Sequence, residues 1–100
     1  MPTRQRTEKP KAPIFLPNEK IALIRPTYVE TEIVKVLKYL RMMDAFITRN
    51  YEIPLSQIPT DEAWFFLESQ RQEALKEMKD AQDYVRRLRI QIEKNEQEKN

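Results

Sequence analysis

The carboxylate pairs Asp80 with Asp83 and Glu73 with Glu77 sit three and four residues apart, so a helix would set each pair on one face. A catalytic dyad needs burial or a close like charge to separate the roles of its two acids. These pairs lie in a polar, charge-rich stretch with no histidine to relay a proton, so they read as a solvated helix face. The basic groups have more to offer. Tyr84 with Arg86, Arg87 and Arg89 suits phosphate contact, the ring stacking on a base or sugar. The preferred reading is a solvated face on which the same arginines complement a helix C-terminal dipole and pair with Asp83 and Glu93. Arg4, Arg6, Lys9 and Lys11 form a second basic run, diluted by Glu8, that either follows phosphates or serves as a solubilising tail.

Absences narrow the chemistry further. The 100 residues include no glycine, no cysteine and no histidine. A phosphate loop, a dinucleotide fingerprint or an EF-hand needs glycine where the backbone turns sharply or approaches a ligand closely. A common zinc site, a Cys–His nucleophile and a Ser-His-Asp triad are equally without their parts. The expectation is a non-enzymatic chain with no cofactor, no metal and no small-molecule substrate. No run approaches the ~20 apolar residues of a membrane span, and the N-terminus lacks the apolar core of a secretory signal. A soluble intracellular or virion-associated protein is expected, with no membrane partner.

Charge is unevenly spread. Residues 1–25 carry a net +4, residues 26–50 +1 and residues 51–100 −3, within an overall +2. A basic front end suits an anionic partner, either nucleic acid or an acidic protein surface.

Prolines divide the chain. They fall at positions 2, 10, 13, 17 and 26, then at 54 and 59, leaving 27–53 and 60–100 free for long helices. Residues 1–13 are polar, basic and proline-spaced, and predict an extended arm that only a partner would order. Residues 14–26 hold two apolar clusters, Ile14–Leu16 and Ile21–Ile24, on either side of a Pro17-Asn18 turn. They predict an anchoring segment with at most a short strand or one helical turn.

The first long helix is expected over about 27–49. Thr27 and Glu30 have capping-box spacing, and Asn50 is a natural left-handed stop. Val29, Ile33, Val36, Leu40, Met43 and Ile47 make one stripe, widened by Leu37 and Phe46. The second helix is expected over about 60–94, capped by Thr60 with Asp61 and Glu62 in the first turn, and residues 96–100 should fray. Its seam runs Trp64, Leu67, Arg71, Ala74, Met78, Ala81, Val85, Leu88 and Ile92, in heptad-like steps of three and four. Pairs such as Lys76–Asp80, Lys79–Asp83, Asp83–Arg87 and Arg89–Glu93 should lace its outer face. The seam resembles coiled-coil proteins in general over about a third of the chain and points to no family.

The expected architecture is therefore all-α: an antiparallel helical hairpin with an extended basic arm and a long, partly overhanging, coiled-coil-like C-terminal helix. A ten-residue connection (residues 50–59) with Tyr51, Ile53, Leu55 and Ile58 should fold over the end of the pair. Such a pairing sets Trp64 near Ile47 and Ala81 near Val29, and leaves Val85, Leu88 and Ile92 beyond the shorter helix. That exposed stripe calls for a cover: the 14–25 segment folded back, a second copy, or another protein. A second copy is the preferred reading, because the heptad register continues through the overhang. The candidate interface is Val85, Leu88 and Ile92, with Phe15 and Leu16 as anchor and Trp64 and Phe66 as an aromatic contact. The preferred reading of those aromatics is that Tyr51, Ile53, Leu55 and Ile58 cover the side the first helix cannot reach.

The function expected is a small structural or adaptor subunit of a larger assembly, of virion or ribonucleoprotein type, joined to a protein partner or to further copies of itself. The alternative is a nucleic-acid-binding regulator using Arg4, Arg6, Lys9, Lys11, Arg86 and Arg87. It lacks a helix-turn-helix pattern.

Overall fold

The computed structural model describes residues 8–52, 57 and 60–99. Among these residues the chain is all-helical, with α1 (Asn18–Ile21), α2 (Pro26–Tyr51) and α3 (Asp61–Lys99). α2 packs along α3, and α1 also lies against α3. At about 1.5 Å per residue α3 is about 58 Å long, which accounts for most of the molecule's 60 Å longest extent.

Local chemistry sets the ends. The carbonyl of Pro17 accepts the amides of Lys20 and Ile21, both at 3.0 Å, and so turns the chain once into α1. α2 opens on Pro26, whose fixed φ suits a first helical position and whose missing N–H costs nothing there. Thr27 therefore lies inside the helix and caps nothing; its carbonyl accepts from the Thr31 hydroxyl at 3.5 Å. The expected left-handed stop at Asn50 is also replaced: no described residue has a positive φ. Asn50 instead donates from Nδ2 to the Phe46 carbonyl at 2.8 Å, and the helix continues to Tyr51 before Glu52 turns extended. Thr60 does cap α3, its Oγ1 accepting the Ala63 amide at 3.4 Å, with Asp61 and Glu62 in the first turn. α3 stays helical to Lys99, past the expected end at Lys94.

The core is one cluster built from α1, α2 and α3. Val29, Val36 and Met43 of α2 and Ala81, Tyr84 and Leu88 of α3 are fully buried. Each large apolar side chain buried this way stabilises the fold by roughly 1.5–3 kcal/mol. Phe46 joins the buried face as expected, whereas Leu37 is exposed.

The two long helices meet in reverse order, a hairpin-like arrangement. Tyr84 donates its hydroxyl hydrogen to Glu32 Oε2 at 3.1 Å, and Pro26, Thr27 and Glu30 share a cavity with Ile92, Asn95 and Glu96. This register differs from the expected one. Pairing Ala81 with Val29 would set Glu32 beside Met78, yet Glu32 meets Tyr84, about six residues or ~9 Å further along α3. The slide has a physical cause. It places Val85 and Leu88 in one buried cluster with Ile21 of α1 and the apolar face of α2, which keeps their surface from water.

The segment before α1 is a strap along the molecule. Lys9 meets Glu77, Phe15 meets Tyr84, and the Leu16 carbonyl meets Arg87, so the strap advances in the same direction as α3. Its other edge lies on α2, where Lys11, Ala12 and Pro13 share a cavity with Lys35, Lys38, Tyr39 and Met42. The fold-back reading of residues 14–25 is thus the one the structure adopts. Ile53, Leu55 and Ile58 lie outside the described residues. Tyr51 closes on Phe46 edge-on, with ring centroids 5.9 Å apart.

Candidate protein-docking site

The expected outer stripe is covered from within the chain. Val85 is 4% exposed and Leu88 0%, and Ile92 is half-buried against the same core. Ile21, itself 2% exposed, joins them in one cluster. These residues stabilise the monomer, and of the large apolar side chains at that end of α3 Ile90 is the exposed one among the described residues. The correction follows from the helix register and from the strap, neither of which periodicity alone reveals.

Phe15 and Leu16 are anchors, but to their own chain. The Phe15 and Tyr84 rings lie 5.2 Å apart, tilted by 47°. Arg87 Nη1 donates to the Leu16 carbonyl at 2.9 Å and to Asn18 Oδ1 at 3.1 Å, while its guanidinium stands 5.2 Å from the Tyr84 ring centroid. Arg87 therefore pins the strap and does not face outward. Tyr84, a candidate stacking residue, is fully buried as the centre of this knot. Burial raises its pKa above the ordinary tyrosine value, with Glu32 acting the same way and Arg87 opposing.

The remaining basic candidates divide. Arg86 pairs with Asp83 one helical turn away. Lys9 donates to Glu77 Oε2 at 2.8 Å, and that hydrogen bond raises the Lys9 pKa above its ordinary value. Lys11 makes no ion pair among the described residues and borders the cavity with Lys35 and Lys38. Arg4 and Arg6 lie outside the described residues. The four expected lacing pairs on α3 do not form among the described residues; the ion pairs on one helix are Lys35–Glu32, Arg71–Glu68 and Arg86–Asp83, all three apart. Glu77 and Asp83 are thus taken up by cations, and no group of three or more potential metal ligands occurs among the described residues.

Among the described residues, consecutive exposed aromatics occur at the opening of α3. Trp64 is 43% exposed, Phe65 72% and Phe66 62%. Thr60 and the first-turn acids fix the start of this helix, so the aromatics are held on a rigid rod. Four consecutive large apolar residues, Trp64 to Leu67, point around the whole helix circumference, and of these Leu67 is half-buried. Asp61, Glu62 and Glu68 are the only charged residues from 61 to 70, so the patch carries an acidic rim. Glu68 is braced by Gln72 Nε2 at 2.7 Å and Arg71 Nη1 at 3.4 Å.

A second surface was not foreseen. Lys11 from the strap and Lys35 and Lys38 from α2 surround an open cavity of about 230 Å³ floored by Ala12, Pro13, Tyr39 and Met42. Among the described residues no carboxylate lines it. Lys35 lies 3.7 Å from Glu32, while Lys38, like Lys11, makes no ion pair among the described residues. Tyr39 is 5% exposed, and its hydroxyl has no hydrogen-bond partner. Burial is the main cause of its raised pKa. The off-stripe positions of Lys35 and Lys38 were readable, but their meeting with Lys11 depends on the path of the strap.

No helix among the described residues is long and apolar enough to cross a membrane. Comparisons with protein families, with curated proteins and with solved structures find no match to this chain.

Proposed function

We propose that this chain is a non-enzymatic structural or adaptor subunit that docks onto protein through the aromatic opening of α3. One observation carries the reading: Trp64, Phe65 and Phe66 stand exposed as three consecutive aromatics, whereas the other exposed large apolar residues among the described ones, such as Ile14, Leu23 and Val34, are separated from one another along the chain. Contiguous aromatic surface with a polar rim is the usual composition of a binding hot spot. In this reading the antiparallel hairpin, tied by the strap, is a rigid mount, and the coiled-coil-like seam of α3 serves the monomer's own core. Self-association through Val85, Leu88 and Ile92 is set aside, because those side chains are already covered.

The nucleic-acid reading has weaker support. Arg87 and Lys9 are committed to contacts inside the chain, and Arg86 is paired with Asp83. A photoreactive residue placed at position 65 in the protein's native setting tests the docking reading. A discrete protein adduct at 65, absent when the same group replaces exposed Lys79, is the expected result. Equal, diffuse labelling at both positions would refute it.

A further inference from the structure

We infer that the occupant of the aromatic face is a second copy of this chain, which receives it in the lysine-rimmed cavity of Lys11, Lys35 and Lys38. The inference rests on the docking reading above and names its partner. Charge selects the arrangement. Two aromatic openings facing each other would oppose two acidic rims, each carrying Asp61 and Glu62, with Glu68 already paired to Arg71. Two lysine cavities facing each other would oppose Lys11, Lys35 and Lys38 with themselves. The opening of one copy in the cavity of the next brings the acidic rim to the lysines. It also sets Phe65 and Phe66 on the apolar floor of Pro13, Tyr39 and Met42. Both surfaces are open in the folded monomer, with Tyr39 reaching the cavity from the core, so neither must unfold to engage.

An interface joining two different surfaces is heterologous. It propagates head to tail into rings or filaments and does not stop at a two-fold dimer. The three aromatics offer roughly 300–400 Å² at their observed exposures. With a matching area on the opposing surface the contact totals roughly 600–800 Å², below the ~1,200 Å² of stable specific complexes, so weak, salt-sensitive assembly toward the upper end of the micromolar range is expected.

The test uses the full chain and two surface variants, Phe65→Ser without the opening and Lys38→Glu without the cavity. Mass is measured by light scattering from micromolar to near-millimolar concentration, with circular dichroism confirming equal helix content. The wild type should grow past a dimer, and about tenfold higher salt should weaken assembly severalfold. Each variant alone should stay monomeric in the same range. Mixed, they should stop at a one-to-one dimer, because one intact opening and one intact cavity remain. A wild type that is monomeric throughout overturns the inference. So does a dimer that both variants still form alone. If the wild type is monomeric while position 65 captures a different protein, the second-copy inference fails and the docking reading survives.

Discussion

α3 is one continuous helix with two contrasting ends. From Ala74 to Leu88 its inner positions are packed by α2, α1 and the strap, and Tyr84 alone touches Phe15, Arg87 and Glu32. From Asp61 to Phe66 it presents more aromatic surface per turn and leaves most of it exposed. Apolar residues are thus as abundant at the open end as at the closed one. Among the described residues, what separates the ends is whether another part of the same chain packs on them. The strap runs beside α3 from Glu77 onward, and the described contacts place its anchors at Glu77, Tyr84 and Arg87. Covered apolar surface stabilises the monomer, whereas uncovered apolar surface is available to a partner.

The contrast is steepest for Leu88. It is completely buried beneath two layers, so Leu88→Ala removes contacts and leaves a cavity that the rigid pair cannot close. The expected cost is roughly 2–5 kcal/mol in urea unfolding, enough to remove much of a small domain's stability. A cost under about 1 kcal/mol would mean that the closed end is no better packed than the open one.

The strap should matter next. Arg87→Met keeps the packing of the stem but removes two donors and the cation over Tyr84. Because Arg87 is only half-buried, the expected loss is about 1–2 kcal/mol, discounted for solvent screening. Amide exchange around Phe15 to Ile21 should accelerate more than exchange in α2, since the strap is released while the helix pair persists. Equal acceleration everywhere would show that the strap is an inseparable part of one cooperative unit.

The elements themselves were largely readable in the sequence. Proline spacing and the apolar stripes gave α2 and α3 within a few residues, and Thr60 announced its cap through side-chain chemistry that acts locally. The register was not readable. A seam of repeated three- and four-residue steps fits its partner equally well after a slide of about two turns, and only the full set of covered surfaces decides between them. The burial of Tyr39 and of Tyr84, the latter read as a stacking residue, was not legible for a related reason. Both sit beside the seam rather than on it, and they are buried because the strap lies over that flank. Phe15 and Leu16 were recognised as anchors, but nothing local distinguishes a foreign groove from the chain's own. The aromatic opening was visible as a run of four, while its exposure depends on what fails to reach it.

The two flank tyrosines give a smaller and more discriminating effect. Tyr84 donates to Glu32, so Tyr84→Phe should cost about 0.5–1.5 kcal/mol. The Tyr39 hydroxyl has no partner, so Tyr39→Phe should be neutral or stabilise by up to ~1 kcal/mol. Both pKa values are raised in the fold, chiefly by burial. The unfolded chain therefore releases these protons first. Stability should be independent of tyrosine ionisation below about pH 10 and should decline as pH rises through the folded-state values. Chemical denaturation in alkaline buffers should show that decline in the wild type, and a weaker one in either Phe variant. An unchanged slope in both would mean that the rings are not buried as described.

The smallest stability effect belongs to Phe65, and it tests the contrast most directly. Phe65 is 72% exposed, so Phe65→Ser should change unfolding free energy by no more than about 0.5 kcal/mol, with an unchanged denaturant slope. The same substitution at a covered aromatic would remove burial worth several times that amount. A loss above about 1.5 kcal/mol would show that the opening of α3 is covered within its own chain, and the open end would then be a second core rather than a docking face. A neutral result, together with the loss of head-to-tail assembly in the same variant, would separate the two ends of one helix by purpose: one holds the fold, the other joins it to a neighbour.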